Sequence, residues 1–223
     1  MPSPSTSSDL AAIKEGIADF LSRKDDQGRT ISNAKHGVYA FYDYDGEPIY
    51  VGQTVERLRA RIGRHLTNQR TDAVAMNVLD PAEVAEIEMW PLFDLNGDPK
   101  AAEKLNQAEY TVFQAVLKHS ALGAVLNEKD IPQTELIHLP ASTRGRIVPD
   151  DIYQRLKHPD IRIARRAGTI ANLARVISER DVSKGLRRTL VTQAKRLELL
   201  AQTRLADFAG AYPDEDAGEE TGG

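Results

Sequence analysis

Two hydrophobic periods alternate along this chain. Leu10, Ile13, Ile17 and Phe20/Leu21 recur at helical spacing and predict a first helix, with Asp9 or Ser8 available to cap it. The period then shortens to that of a strand. "GVYAFY" from Gly37 and "PIYVGQ" from Pro48 are rich in β-branched and aromatic residues, and the "DYDGEP" between them carries turn chemistry, so the stretch reads as a β-hairpin. Helical spacing returns in "VERLRARIGRHL", where Leu58, Ile62 and Leu66 share one face. In "EVAEIEMWPL", Ala85, Ile87 and Met89 alternate with Glu86, Glu88 and Trp90, which predicts a third strand. Leu105, Ala108, Val112, Ala115 and Val116 then mark the buried face of a helix from about Ala101 to His119.

The order helix, β, β, α, β, α predicts an α+β fold: a small three-stranded antiparallel sheet with helices packed on it. Beyond it the Pro/Gly-containing "HLPASTRGRIVPDD" reads as a loop. Ile163, Ala167, Ile170, Ala171, Ala174 and Ile177 mark one further amphipathic helix, and Leu186, Leu190, Ala194, Leu197, Ala201 and Phe208 another. "SERDVS" separates them, so an appended C-terminal α-helical hairpin is expected. The pattern divides the chain into residues 1–8, Ser/Pro-rich and expected to be disordered; 9–35, a helix and linker; 36–135, the sheet-containing domain; 136–150, a linker; 151–209, a helical region; and 210–223, an acidic, Gly-rich tail expected to be disordered.

Composition narrows the function classes. No apolar run is long enough to predict a membrane span, and the N-terminus lacks the basic and apolar regions of a secretory signal, so a cytoplasmic protein is expected. The absence of cysteine excludes disulfides, thiol nucleophiles and Cys-ligated zinc. A net charge of −4 argues against a polyanion partner until its distribution is examined. Residues 151–207 hold 13 Lys/Arg against 6 Asp/Glu, while residues 36–135 hold 9 against 16. The basic region is therefore a candidate nucleic-acid surface, with Arg162 and Arg166 in one helix and Lys184 and Arg188 in the other, unless these charges only solvate helix faces.

The chemistry gathers in the hairpin and the helix after it. Five tyrosines and phenylalanines crowd into residues 36–50, and Arg57, Arg59, Arg61 and Arg64 follow. Tyr39 and Tyr50 lie on paired strands, so their hydroxyls can meet on one face. Arg61 and His65 are i, i+4 and share a helix face. A guanidinium, planar and permanently charged, suits a phosphate oxygen. Two glutamates lie in the second helix of the domain. Glu103 faces Asn106, Gln107 and Tyr110, a solvated side, whereas Glu109 has Leu105, Val112 and Phe113 as its helical neighbours. A carboxylate beside an apolar face is costly to desolvate unless it is paired or coordinated.

"GVY" at Gly37–Tyr39, "YVG" at Tyr50–Gly52, "RIGRH" at Arg61–His65, a glutamate in the next helix and Asn127 in "VLN" together resemble the GIY-YIG nuclease family. The resemblance covers roughly residues 36–127. Valine replaces isoleucine in both tripeptides, a packing change. Asn127 lies farther beyond Glu109 than in many members, with "HSALGA" as the insertion.

The resemblance implies a metal-dependent endonuclease acting on DNA, in restriction, phage defence or a mobile element. It implies one Mg²⁺ or Mn²⁺ ion per site, held by Glu109; the alternative for Glu109 is a structural pairing with an arginine. Arg61 would stabilise charge on the phosphate, Tyr39 would act as general base with His65 as its neighbour, Tyr50 would position water or phosphate, and Asn127 would fix the site by hydrogen bonds. Arg57 and Arg64 join the candidate DNA contacts. The order of proton transfers stays open, since metal-bound water could serve as the leaving-group acid. Two further readings remain: a non-catalytic nucleic-acid-binding or scaffold protein on the same fold, and a homo-oligomer joined through the C-terminal helices.

Overall fold

The computed structural model describes residues 7–66 and 78–211. The expectations of disorder for the first residues and for the acidic tail lie, apart from a few boundary positions, outside these. α1 (Ser7–Leu21) turns Ile13, Ile17, Phe20 and Leu21 into the core, while Leu10, expected on that face, is exposed. Asp9, the expected cap, is buried and ion-paired with Arg155 at 2.6 Å.

β1 (Gly37–Tyr42) and β2 (Pro48–Thr54) form the expected hairpin, and β3 (Glu86–Pro91) pairs with the other edge of β1. Every residue of β1 is buried, because the sheet is covered on both faces. Tyr39, Phe41, Ile87 and Met89 face a core shared with α1 and α2 (Leu58–Leu66). Val38, Ala40, Val51 and Trp90 face a second core built on Leu105, Ala108 and Val112 of α3 (Ala101–Leu117). The period-two alternation of a strand thus feeds two cores at once.

The sheet has four strands rather than three among the described residues, in the antiparallel order β2-β1-β3-β4. β4 (Thr143–Arg146) comes from the segment expected to be a linker. Its sequence, "TRGR", has no apolar residue to alternate, so nothing in the hydrophobic pattern could mark it. Backbone pairing with β3 and charged side chains hold it instead: Arg144 pairs with Glu86 at 2.6 Å and lies 3.6 Å over the Tyr42 ring. Charged residues of this kind are what protects an edge strand from further pairing.

α4 (Asp150–Leu156), α5 (Pro159–Glu179) and α6 (Lys184–Ala211) complete the chain. α5 and α6 form the expected hairpin with a different buried face. Ala167, Ala171 and Ala174 are exposed, as are Ala194, Ala201 and Phe208. What α5 buries is Arg162, Arg165 and Arg166 beside Leu173 and Val176, and α6 buries Arg196 beside Leu186, Thr189, Gln193 and Leu200.

These arginines meet carboxylates of the sheet domain. Asp43 Oδ2 accepts from Nη2 of Arg162 at 3.2 Å, of Arg166 at 2.9 Å and of Arg196 at 2.5 Å. Glu83 accepts from Arg166 Nε at 3.0 Å and is ion-paired with Arg165 at 3.2 Å. Asp80 and Asp45 bind Arg165 and Arg162 from the rim. The expectation that Arg162 and Arg166 contact DNA phosphates therefore fails. They are 1% and 5% exposed and neutralised from within the protein.

Removing one partner of a buried ion cluster strands the others, at a cost of about 3–5 kcal/mol. Asp43→Ala is expected to lose stability on that scale in urea denaturation followed by circular dichroism. A loss under about 1 kcal/mol would mean that the cluster does not hold the helices on the domain.

Candidate active site

The hairpin places its tyrosines through register. Tyr39 pairs with Gly52 and Phe41 with Tyr50, so the two tyrosines are diagonal neighbours on one face, their rings stacked with centroids 6.1 Å apart. Glycine at 52 is required by contact: a Cβ there would lie 2.6 Å from the Tyr39 hydroxyl. α2 sets its His65 against this face, and Tyr39 Oη lies 3.1 Å from His65 Nε2. His65 also tilts against the Tyr50 ring at 5.0 Å. Tyr39 is fully buried and His65 nearly so, while Tyr50 is half-buried at the opening of the cluster.

β2 is an edge strand, and the site wraps around that edge. Tyr50, Arg61 and His65 on one side and Gln53 and Glu109 on the other line one cavity of about 510 Å³, with Asn127 on its wall. The edge strand leaves the amide and carbonyl of Val51 unpaired by backbone. Asn127 meets both: its Oδ1 accepts from Val51 N at 3.2 Å, and its Nδ2 donates to Val51 O at 2.6 Å. The side-chain amide thus takes the place of a neighbouring strand, and Leu126 N adds a bond to Ile49 O at 2.8 Å. The insertion before Asn127 does not keep it from the site.

Glu109 and Glu103 separate as helix geometry requires. Glu103 is exposed; Glu109 is half-buried in the cavity wall. Its Oε2 accepts from Gln53 Nε2 at 3.0 Å, and the same nitrogen donates to Asn106 at 2.8 Å. Burial pushes the Glu109 carboxyl up to about 7, with the Gln53 hydrogen bonds and the Arg61 charge working against the shift. Arg61 Nε is itself buried without a hydrogen-bond partner among the described residues. Among the described residues the cavity therefore brings together a carboxyl raised by burial and a guanidinium with one nitrogen unbonded. Gln53 was not anticipated. Its only signal was its place at the end of the tyrosine motif on an edge strand.

No group of three or more His, Asp or Glu side chains suited to a metal occurs among the described residues. The donor set fits a hard cation that takes one carboxylate from the protein and its remaining oxygens from water or phosphate. Of the other candidate contacts, Arg57, Lys184 and Arg188 are exposed. Arg188 pairs with Asp130 at 2.7 Å, and Arg64 is engaged by both carboxylate oxygens of Glu56.

Residues 35–114, a little over a third of the chain, match the model of the GIY-YIG catalytic domain. The match spans the hairpin, α2, β3 and most of α3, Glu109 included. No curated protein and no solved structure gave a significant match.

The raised Glu109 carboxyl has a stability signature. Because its folded pKa lies above that of the unfolded chain, it contributes stability below about pH 4.3 that is lost as pH rises through about 7. In chelator, Glu109→Gln should match wild type near pH 4 and exceed it at pH 8 by on the order of 2 kcal/mol. Denaturation midpoints at the two pH values measure this, and parallel curves would contradict the burial of the carboxylate.

Proposed function

We propose that this GIY-YIG domain is a divalent-metal-dependent endonuclease that hydrolyses phosphodiester bonds in DNA. One observation carries the reading. His65, hydrogen-bonded to the buried Tyr39 hydroxyl, lines the cavity at the edge of β2 together with Arg61 and the half-buried Glu109 carboxyl.

Each residue has a chemical task in that arrangement. Arg61 binds a phosphate oxygen through its guanidinium and stabilises the charge that builds as the nucleophile adds. Tyr39 takes the proton of the attacking water as its own phenolic proton passes to His65 Nε2, which lies within hydrogen-bond reach. The phenol needs that neighbour, because an unperturbed tyrosine titrates near ~10. Tyr50, half-buried at the opening, orients the water or phosphate through its hydroxyl. Asn127 holds β2 straight by pairing with Val51, which keeps Tyr50 and Gln53 in register on either side of the edge. Gln53 orients the Glu109 carboxylate, the side chain that would hold a Mg²⁺ or Mn²⁺ ion. When bound there, the ion supplies Lewis-acid stabilisation of the phosphoryl oxygens and the leaving oxygen.

The DNA contacts proposed around the cavity are Arg57 and the exposed first turns of α6, with Lys184 and Arg188. The acidic balance of residues 36–135, unfavourable for docking a polyanion on the domain itself, supports a second reading: a non-catalytic nucleic-acid-binding or scaffold protein on the same fold.

Cleavage of supercoiled plasmid and single-stranded DNA with Mg²⁺, Mn²⁺ or EDTA tests the proposal. Wild type should cut only with metal. Glu109→Ala and Tyr39→Phe should each lose about 100-fold or more in rate. Glu109→Ala should still retard DNA in a binding assay. Cutting that persists in Glu109→Ala would remove that residue as metal ligand, and folded wild type that binds without cutting would favour the second reading.

A further inference from the structure

The cavity at the edge of β2 does not end at Arg61. A second cavity of about 350 Å³ adjoins it, between the end of β2, the turn into α2 and the first turns of α3. Gln53, Arg61 and Asn106 line both cavities, so these three side chains form the divide. The proposed cleavage reaction leaves the second cavity without a role.

Its lining combines apolar surface with polar groups that are mostly engaged. Val55, 62% exposed, supplies the apolar part together with Ala102 and Leu105. The Thr54 hydroxyl donates to the carbonyl of Glu56 at 3.1 Å and accepts from the Glu56 amide at 3.1 Å. Arg64 binds both oxygens of the Glu56 carboxylate and counters its charge.

Asn106 differs from these. Glu109 accepts from Gln53 Nε2 at 3.0 Å, which sets the Gln53 amide, and the same nitrogen donates to Asn106 Oδ1 at 2.8 Å. That second bond sets the Asn106 amide in turn. Its oxygen is held by Gln53, while its nitrogen, on an exposed residue, donates to no group among the described residues. A donor is thus presented where the two cavities meet, at the end of a hydrogen-bond chain that starts at Glu109.

We propose that the second cavity receives the base of a nucleotide adjoining the scissile phosphate, and that Asn106 reads that base. The inference rests on the reading of Arg61 as the phosphate contact. A phosphodiester continues into a nucleoside on each side, and with the phosphate at the divide one nucleoside enters this cavity. Val55 and Ala102 then cover the apolar face of the base, and Asn106 donates to an acceptor on its edge. Guanine and thymine carry a carbonyl oxygen where adenine and cytosine carry an amino group, so guanine or thymine is preferred. A base reaches a cavity of this kind only outside the helical stack, which favours an unpaired nucleotide beside the cut.

Cleavage of a randomised single-stranded DNA pool with Mg²⁺ tests this, with the bases beside each cut read by sequencing. Wild type should favour guanine or thymine at one position next to the cut by about fivefold. Asn106→Asp keeps the acceptor for Gln53 but removes the donor, and should erase that preference. Ala102→Trp, at an exposed position, fills the cavity and should lower kcat/KM about tenfold. A photoreactive benzoylphenylalanine introduced at Val55 reads the same contact in EDTA, where no cutting is needed. It should crosslink to a DNA base well above the same group introduced at Leu10, exposed on α1. Cutting without a preference at that position, or a preference unchanged in Asn106→Asp, would overturn the subsite. A strong Val55 crosslink without cutting by wild type keeps the subsite and removes the endonuclease reading. A Val55 crosslink no stronger than that from Leu10 overturns the subsite, whether or not the protein cuts.

Discussion

The carboxylate of Asp43 joins the two halves of this protein. Its Oδ1 accepts from the backbone amides of Asp45 and Glu47 and so shapes the turn of the β1–β2 hairpin, where Gly46 supplies the left-handed residue at φ +75°. Its Oδ2 receives three guanidinium groups from α5 and α6. One side chain therefore sets the hairpin that carries Tyr39 and Tyr50 and anchors the helices that follow the sheet. Burying so many charges is expensive, and apolar residues of similar volume can often match the stability of a buried ion pair. What such a network adds is direction, since guanidinium and carboxylate bond only in particular geometries.

The cavity at the edge of β2 exploits a different weakness of the fold. An edge strand leaves backbone groups unpaired and side chains on both of its faces within reach of one opening. β2 is such a strand. Asn127 closes its free amide and carbonyl, and the two faces then deliver unlike chemistry to one place: aromatic hydroxyls and an arginine from the side of α2, a carboxylate and an amide from the side of α3. A partner strand would have filled the space. The Glu109 carboxyl raised by burial and the buried Arg61 Nε, without a hydrogen-bond partner among the described residues, are the electrostatic trace of that arrangement.

Charge is compensated differently at the edge of β2 and beside α6. The cavity at the edge of β2 is lined by the Glu109 carboxyl from one side of the strand and the Arg61 guanidinium from the other. Beside α6 the charges are paired: three arginines meet on one Asp43 oxygen, and Asp45 and Glu83 bind two of them again. The basic composition of residues 151–207 is therefore divided between two uses. Part is consumed inside the protein, on Asp43, Glu83 and Asp80, and part remains on the surface at Lys184, Arg187 and Arg188.

Local pattern by itself determined the hairpin, α2, β3 and α3, and with them the neighbourhood of Tyr39, Tyr50, Arg61 and His65. Periodicity and turn chemistry act over a few residues, and each of these elements carries its own apolar face. The choice between Glu103 and Glu109 was legible for the same reason, since helical spacing alone puts one in solvent and the other beside Leu105 and Val112. Tertiary structure alone decided the rest. β4 has no apolar residue and exists through pairing with β3. Gln53 gained its contact with Glu109, and Asn127 its contact with Val51, across long stretches of chain. The face that α5 buries carries three arginines beside Leu173 and Val176, while the alanines of its hydrophobic pattern are exposed. A helix read alone ranks its residues by their cost in water, but in the folded chain that ranking is overturned wherever another element brings a buried carboxylate to meet the charge.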